Sequence, residues 1–448
     1  MAPLPNGPPS TIRQLANQIG VVHFAGPDAT IVHPIIPYNP VNVTAGYQEG
    51  VGLNRTFLEY LWDGATAASI GEECVSLYKF IVQHYTDEHD IFLFGYSRGA
   101  FTVRCVGGMI NNCGILRGEA TQSAEELDTL CQEVYRTYRS PLAVDHPQSE
   151  RCRSMKSDIS SVWQVNQPIR FMGLIDTVGA LGIPRLNAGI GFNYKEFELY
   201  DQKVSSAVQV VYHALSLHER TWELQPCFIY PPPGNATIVK QQWFPGVHHD
   251  LGRSTFRYLR QRPWNTLEGF LDLLPSFLTK TEWPNEVCSD VVACWILQGI
   301  KDVEAPIDPN FTVPGIDREI RSLSLRISAP DPRTLGTGDT SSAASSSPAA
   351  TPASAPTSTQ SFLDTLKRLA SLPFTLLNSL FPRFGNASDS LGLSAILGTL
   401  AATIDRRIPR ATLQEEVYPY LNEETVVDDV GRERRFTVGR FEARDEGV

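Results

Sequence analysis

Strand-length apolar runs that end abruptly in polar, glycine-bearing turns constrain this 448-residue chain more than any other feature. The run "IFLFG" begins at Ile91, and "IRFMGLI" spans residues 169–175. An apolar run of this length without alternation suits a strand covered on both faces, as in a parallel sheet. A third strand candidate, "TIVKQQWF", covers residues 237–244 and leads into "PGVHHDLG". Helical spacing separates these runs. Within residues 66–85, Ile70, Cys74, Leu77, Tyr78 and Ile81 recur on one face. Near the start, Ser10 is placed to cap a short helix bearing Ile12, Leu15, Ala16 and Ile19. The region from there to Asn54 is rich in Pro, Gly and β-branched residues and reads as short strands and loops. Residues 203–220 also read as a helix, with Val204, Ala207, Val208, Val211 and Leu215 on one side. Strands alternating with helices predict an α/β fold with a mainly parallel sheet flanked by helices.

The pattern stops at residues 329–361, where Ser, Ala, Pro and Thr dominate and too little apolar surface remains to offset the entropy of ordering. The expected organisation is therefore a catalytic-type domain over residues 1–328, a disordered linker over 329–361, and a C-terminal segment over 362–448. Phe362, Leu366, Leu369 and Leu372 form an apolar stripe beside Lys367 and Arg368, which predicts a small helical appendage. Such a stripe packs on the main domain or lies on a membrane surface. The last thirty or so residues mix acids with arginines and read as a solvated tail or edge.

Composition narrows the function. A net charge of -11 argues against nucleic acid as a partner. The eight cysteines form no C-x-x-C pair and no dense framework, so reduced, mostly buried thiols and a cytoplasmic setting are expected. The opening "MAPLPNGPPSTIRQ" lacks a basic stretch followed by an apolar core, and no uncharged apolar run is long enough to span a bilayer. A peripheral membrane association remains compatible with this composition.

The chemistry centres on "DIFLFGYSRGAFTVR", residues 90–104. A G-x-S-x-G pattern gains meaning when a buried strand delivers the serine to a sharp turn and a helix begins immediately after it. Gly95, Gly99 and Ala100 supply the small flanks, and "FTVRCVGGMI" supplies the helix. Ser97 is then a candidate nucleophile, and the amide of Arg98, at the helix N-terminus, a candidate oxyanion donor. The alternative is an ordinary strand-to-helix turn that contains Ser. A serine nucleophile needs a base and a group that orients it. Asp176 ends the second apolar run and His248 follows the third, giving the order Ser, Asp, His. Taken singly, Asp176 suits a helix cap and His248 a turn. His213 and His218, five apart in the expected helix, would fall on different faces and make a poor metal pair. His249 and Asp250 adjoin His248, but no H-E-x-x-H or cysteine cluster accompanies them. The Arg98 side chain is expected to anchor the turn through a carboxylate.

Four segments occur together in order: "LFGYSRGAFTVR", "FMGLIDTVGALGIP", "YHALSLHER" and "WFPGVHHDLG". They resemble the uncharacterised α/β-hydrolase domain whose bacterial members include type VI secretion phospholipase effectors. Its hallmarks are a G-F-S-R-G-A elbow, a W-D-T-V-G segment and a G-V-H-S-D-V-G-G-G segment. "YQEGVGL", residues 47–53, is similar to its upstream glycine-bearing stretch, and the likeness covers roughly residues 11–300. The resemblance implies an α/β-hydrolase-like fold, Ser97 as nucleophile, Asp176 as orienter and His248 as general base. It implies a carboxylic ester of lipid or phospholipid type as substrate, cleaved through an acyl-serine intermediate without a cofactor or metal. This chain departs from the pattern at His218, which precedes Glu219 where the family has Asp. It departs again at Gly252, Arg253 and Ser254, where the family has three glycines. The family's opening strand and Asp-Gly-Thr-Trp turn have no counterpart here, and "WDGAT" at residues 62–66 falls behind the glycine-bearing stretch. If that turn supplies an oxyanion donor, a weak hydrolase is expected. The competing expectation is a hydrolase-fold binding or scaffold protein without catalysis.

Overall fold

The computed structural model describes residues 9–328 apart from 25, 27–29, 39–42, 51–66, 121–122, 141, 179–204, 220–223, 225, 230–235, 256–282 and 308–314, together with 425–427 and 433–435. Four strands form a parallel sheet in the order β4 (Ile91–Tyr96), β5 (Ile169–Ile175), β6 (Val208–Ser216) and β7 (Ile238–Phe244). Helices cover both faces, as the alternating pattern predicts. On one side, α2 (Ala67–His84) and α3 (Arg98–Cys113) pack with α4 (Ala124–Arg139). Tyr78, Met109, Met172 and Val211 lie in that core. A shorter helix, α5 (Glu150–Lys156), lies against α3. On the other side, α7 (Glu286–Ile307) and α8 (Ile316–Ser328) cover the sheet, with Phe171, Tyr212, Ile296 and Ile300 between them. Burying each such large side chain stabilises the fold by about 1.5–3 kcal/mol. The result is a three-layer α/β/α domain.

β5 is the sheet's central element, and all seven of its residues are buried. That explains a run apolar but for Arg170, which is buried and pairs with Asp90 at 2.9 Å: neither face meets water. β6 is a correction to the sequence reading, which placed a helix over residues 203–220. The residues from Val208 to Ser216 are extended and pair with strands on both sides. Val208, Val211 and Leu215 recur at helical spacing because most positions of this doubly covered strand are apolar and nearly all are buried, so a helical period also finds matches. The β-branched residues here favour the extended form.

Before the sheet, Ser10 caps α1 (Thr11–Ile19), its Oγ accepting from the Arg13 amide at 3.2 Å. The expected short strands follow as an antiparallel sheet of β1 (Gly20–Val22), β2 (Val32–Pro37) and β3 (Ala45–Gln48). Ala16 of α1 joins Val22, Ile35 and Tyr47 beneath that sheet. α1 also packs against β4, one of the two outer strands of the parallel sheet among the described residues. The linker expected over 329–361 and the apolar stripe from Phe362 to Leu372 lie outside the described residues. Within the expected charged tail, β8 (Thr425–Val427) and β9 (Glu433–Arg435) pair antiparallel. Among the described residues, no helix is long and apolar enough to cross a membrane.

Candidate active site

The turn between β4 and α3 holds Ser97 at φ 58° and ψ -123°, a backbone conformation that a side chain makes costly. Packing enforces it. A Cβ at Gly95 would lie 2.5 Å from the Gly99 carbonyl oxygen and 2.6 Å from the Ala100 nitrogen, so only glycine lets the helix turn back so closely on its strand. The Ser97 amide donates to the Ile175 carbonyl at 2.9 Å, which ties the turn to the end of β5. Arg98 opens α3, so its amide lies at the positive end of the helix dipole. Its side chain is buried, and its charge opposes the effect of burial on Glu73 of α2. Burial raises the Glu73 carboxyl above the ordinary carboxylate range in spite of that neighbour, while Glu73 Oε2 accepts from Thr102 Oγ1 at 2.9 Å. The Arg98 charge therefore acts on the Glu73 carboxyl of α2.

Asp176 follows the last residue of β5 and also has positive φ, at 44°. It is fully buried, and its carboxylate is held by donors from the end of β6. The Ser216 amide donates to Oδ1 at 2.8 Å, and the Ser216 hydroxyl donates to Oδ2 at 2.7 Å. His248 opens a short helix, α6 (His248–Gly252), just beyond β7. Its Nδ1 lies 2.7 Å from Asp176 Oδ2, and its Nε2 lies 2.9 Å from Ser97 Oγ. A carboxylate only accepts, so Nδ1 carries the proton and Nε2 offers its lone pair to the Ser97 hydroxyl. The structure thus brings Ser97, Asp176 and His248, separated by up to 151 positions, into one hydrogen-bonded chain at the C-terminal ends of three parallel strands.

Several further residues of the quoted segments support the site. His213, on β6, is buried, and its Nε2 accepts from the Thr177 amide at 3.2 Å, fixing the backbone just after Asp176. Its Nδ1 faces Gln241 Oε1 at 3.1 Å. Burial, reinforced by the nearby Arg104 charge, lowers its pKa to about 3, so the ring is neutral near pH 7. His218 Nδ1 accepts from the Gly246 amide at 3.0 Å, and Glu219 Oε2 accepts from the His248 amide at 3.1 Å. His218 and Glu219 therefore shape the loop that presents His248. Asp250 completes it, accepting from the Val247 and Asn285 amides, both at 2.9 Å. Spacing between the segments could have flagged His218 and Glu219 as neighbours of His248; nothing in the sequence pairs His213 with Thr177. Among the described residues, no group of three or more His, Cys, Asp or Glu side chains could hold a metal ion.

The family model described as "T6SS, Phospholipase effector Tle1-like, catalytic domain" matches residues 29–277, more than half of the chain. The chain belongs to that family. The matched span contains β2 through α6 and with them Ser97, Asp176 and His248. The family's description names a phospholipase effector catalytic domain. Among curated proteins, the chain is similar to the uncharacterized protein YEL023C of Saccharomyces cerevisiae, 27% identical over 202 residues. That match covers 44% of this chain and 27% of the relative, so the chain spans about a quarter of that relative's length.

Proposed function

We propose that this protein is a serine hydrolase that cleaves carboxylic esters of phospholipid type through an acyl-Ser97 intermediate. The observation that carries the reading is the chain from Asp176 through His248 to Ser97, at 2.7 and 2.9 Å, with Ser97 held in a strained turn at a helix N-terminus. His248 Nε2 takes the Ser97 proton as Oγ attacks the ester carbonyl. Asp176 stabilises the imidazolium and keeps Nε2 directed at Oγ. The Arg98 amide, at the positive end of α3, receives the developing oxyanion. His248 then returns the proton to the leaving alcohol, and water, activated by the same imidazole, releases the acid. No metal or cofactor enters these steps. The family's description as phospholipase effectors supports the lipid substrate class. A bilayer lipid would be met at a membrane surface, so the proposed protein works peripherally on one. The proposed setting is cytoplasmic and reducing, where buried thiols such as Cys74, Cys105 and Cys113 stay reduced.

The test is reaction with a fluorophosphonate probe beside hydrolysis of phosphatidylcholine vesicles. Labelling at Ser97 with release of fatty acid, both lost in Ser97→Ala with an unchanged melting temperature, is the expected result. A folded protein that neither labels nor hydrolyses would establish the scaffold reading instead.

A further inference from the structure

Tyr96 directly precedes the candidate nucleophile, and its side chain reaches the candidate base. Its ring stacks on the His248 imidazole, with centroids 4.9 Å apart and planes 29° apart. Its hydroxyl bridges the two ends of α6. It donates to the His248 carbonyl at 3.2 Å and lies 2.9 Å from Ser254 Oγ, whose hydroxyl supplies the second bond. The helix sits directly on the ring: a Cβ at Gly252 would fall 2.1 Å from Tyr96 Cζ, so only glycine permits this approach. Beyond it, Arg253 adopts the left-handed conformation at φ 53°, and the Ser254 amide returns to the His249 carbonyl at 3.0 Å. Ion pairs from Arg253 to Glu286 at 2.8 Å and to Asp290 at 3.2 Å hold that turn against α7. Arg253 thus ties this turn to α7, and Ser254 ties it to Tyr96.

We infer that Tyr96 is a positioning residue for His248, setting the imidazole over Ser97 by its ring face and fixing the height of α6 by its hydroxyl. The inference rests on the serine-hydrolase reading above. Its physical basis is that β4 carries Tyr96 and Ser97 as neighbours. One rigid strand thereby sets both the nucleophile and the support of its base, and their separation does not depend on the loop after β7. Errors in such a separation matter, because a displacement of about 1 Å can cost about a hundredfold in rate.

The test compares two esters of one acyl group, a p-nitrophenyl ester and a simple alkyl ester, by kcat/KM. Expulsion of p-nitrophenolate needs no proton, whereas an alkoxide needs one from His248. Poor positioning of the imidazole therefore penalises the alkyl ester more. Tyr96→Leu is expected to lower kcat/KM for the alkyl ester about a hundredfold. It should lower the p-nitrophenyl ester at least threefold less than that. Tyr96→Phe keeps the ring and loses the hydroxyl, and should restore most of the loss while still changing the ratio of the two esters about threefold. Melting temperatures show that each variant is folded. Equal losses on both esters, or a wild-type ratio in folded Tyr96→Phe, would overturn the positioning role; if Tyr96→Leu does not fold, Tyr96→Phe decides. Wild-type protein that fails to label with fluorophosphonate would instead mark failure of the underlying hydrolase reading.

Discussion

Two glycines of one motif are expected to respond in opposite ways to the same substitution. A methyl group at Gly95 would meet the Gly99 carbonyl oxygen at 2.5 Å, the Ala100 nitrogen at 2.6 Å and the Ala100 Cα at 2.5 Å. All are backbone atoms, so no side chain can swing away. Ordinary van der Waals separation requires the first turn of α3 to move from β4 by about 1 Å, or the strand to twist. Overpacking of this kind costs about 1–3 kcal/mol. In a domain of this size that lowers the melting temperature by about 2–4 °C for each kcal/mol. The catalytic consequence is larger, because Ser97 and the Arg98 amide ride on the segment that moves. A shift of about 1 Å there predicts about a hundredfold loss of turnover. At Gly99 a methyl group would meet nothing within 4 Å. Gly99→Ala lies in the first turn of a helix and is expected to stabilise by up to about 1 kcal/mol, since alanine loses less backbone entropy than glycine. Its turnover should stay within a few-fold of wild type. Thermal melting and p-nitrophenyl ester hydrolysis on both variants measure the contrast. Gly95→Ala that melts and turns over like wild type would refute the close-approach argument for the elbow.

Ser97→Ala is expected to abolish esterase activity and leave the fold intact, as removal of a triad nucleophile costs several orders of magnitude; residual turnover at the wild-type rate would refute the assignment. Ser216→Ala removes the hydroxyl bond to Asp176 Oδ2 at 2.7 Å within a buried pair and should cost about 1.5–3 kcal/mol of stability, read from urea unfolding. His213 gives a signed pH dependence. Its folded pKa of about 3 lies below its ordinary value of 6.5, so between those values the unfolded chain binds the extra proton. Its contribution to stability is present above pH 6.5 and is lost toward pH 3, by about 1.4 kcal/mol for each pH unit. Replacing it in His213→Gln should flatten the dependence of unfolding free energy on pH between 6 and 4, and an unchanged slope would show that the ring is not the group responsible.

What the sequence determined by itself is what rests on neighbours in the chain. The elbow is of this kind: an apolar strand, a small residue where strand and helix meet, and a helix start all lie within residues 90–104. Ser10 as a cap, α2 from its spaced apolar face, and β5 from its largely apolar run were legible for the same reason. Asp176 and His248 were legible by position, because each ends or follows an apolar run, and their distances to each other required the folded chain. Tertiary structure decided the rest. β6 carries helical spacing and becomes a strand because β5 and β7 supply pairing on both edges and helices cover both faces, none of which is encoded within residues 208–216. The supports of the site follow the same rule. His213 meets Thr177, Ser216 meets Asp176, Glu219 meets His248 and Tyr96 meets Ser254 across separations of 29 to 158 positions. A buried hydrogen bond between such residues depends on register between strands, and register is set by the packing of the whole sheet rather than by any local run of side chains.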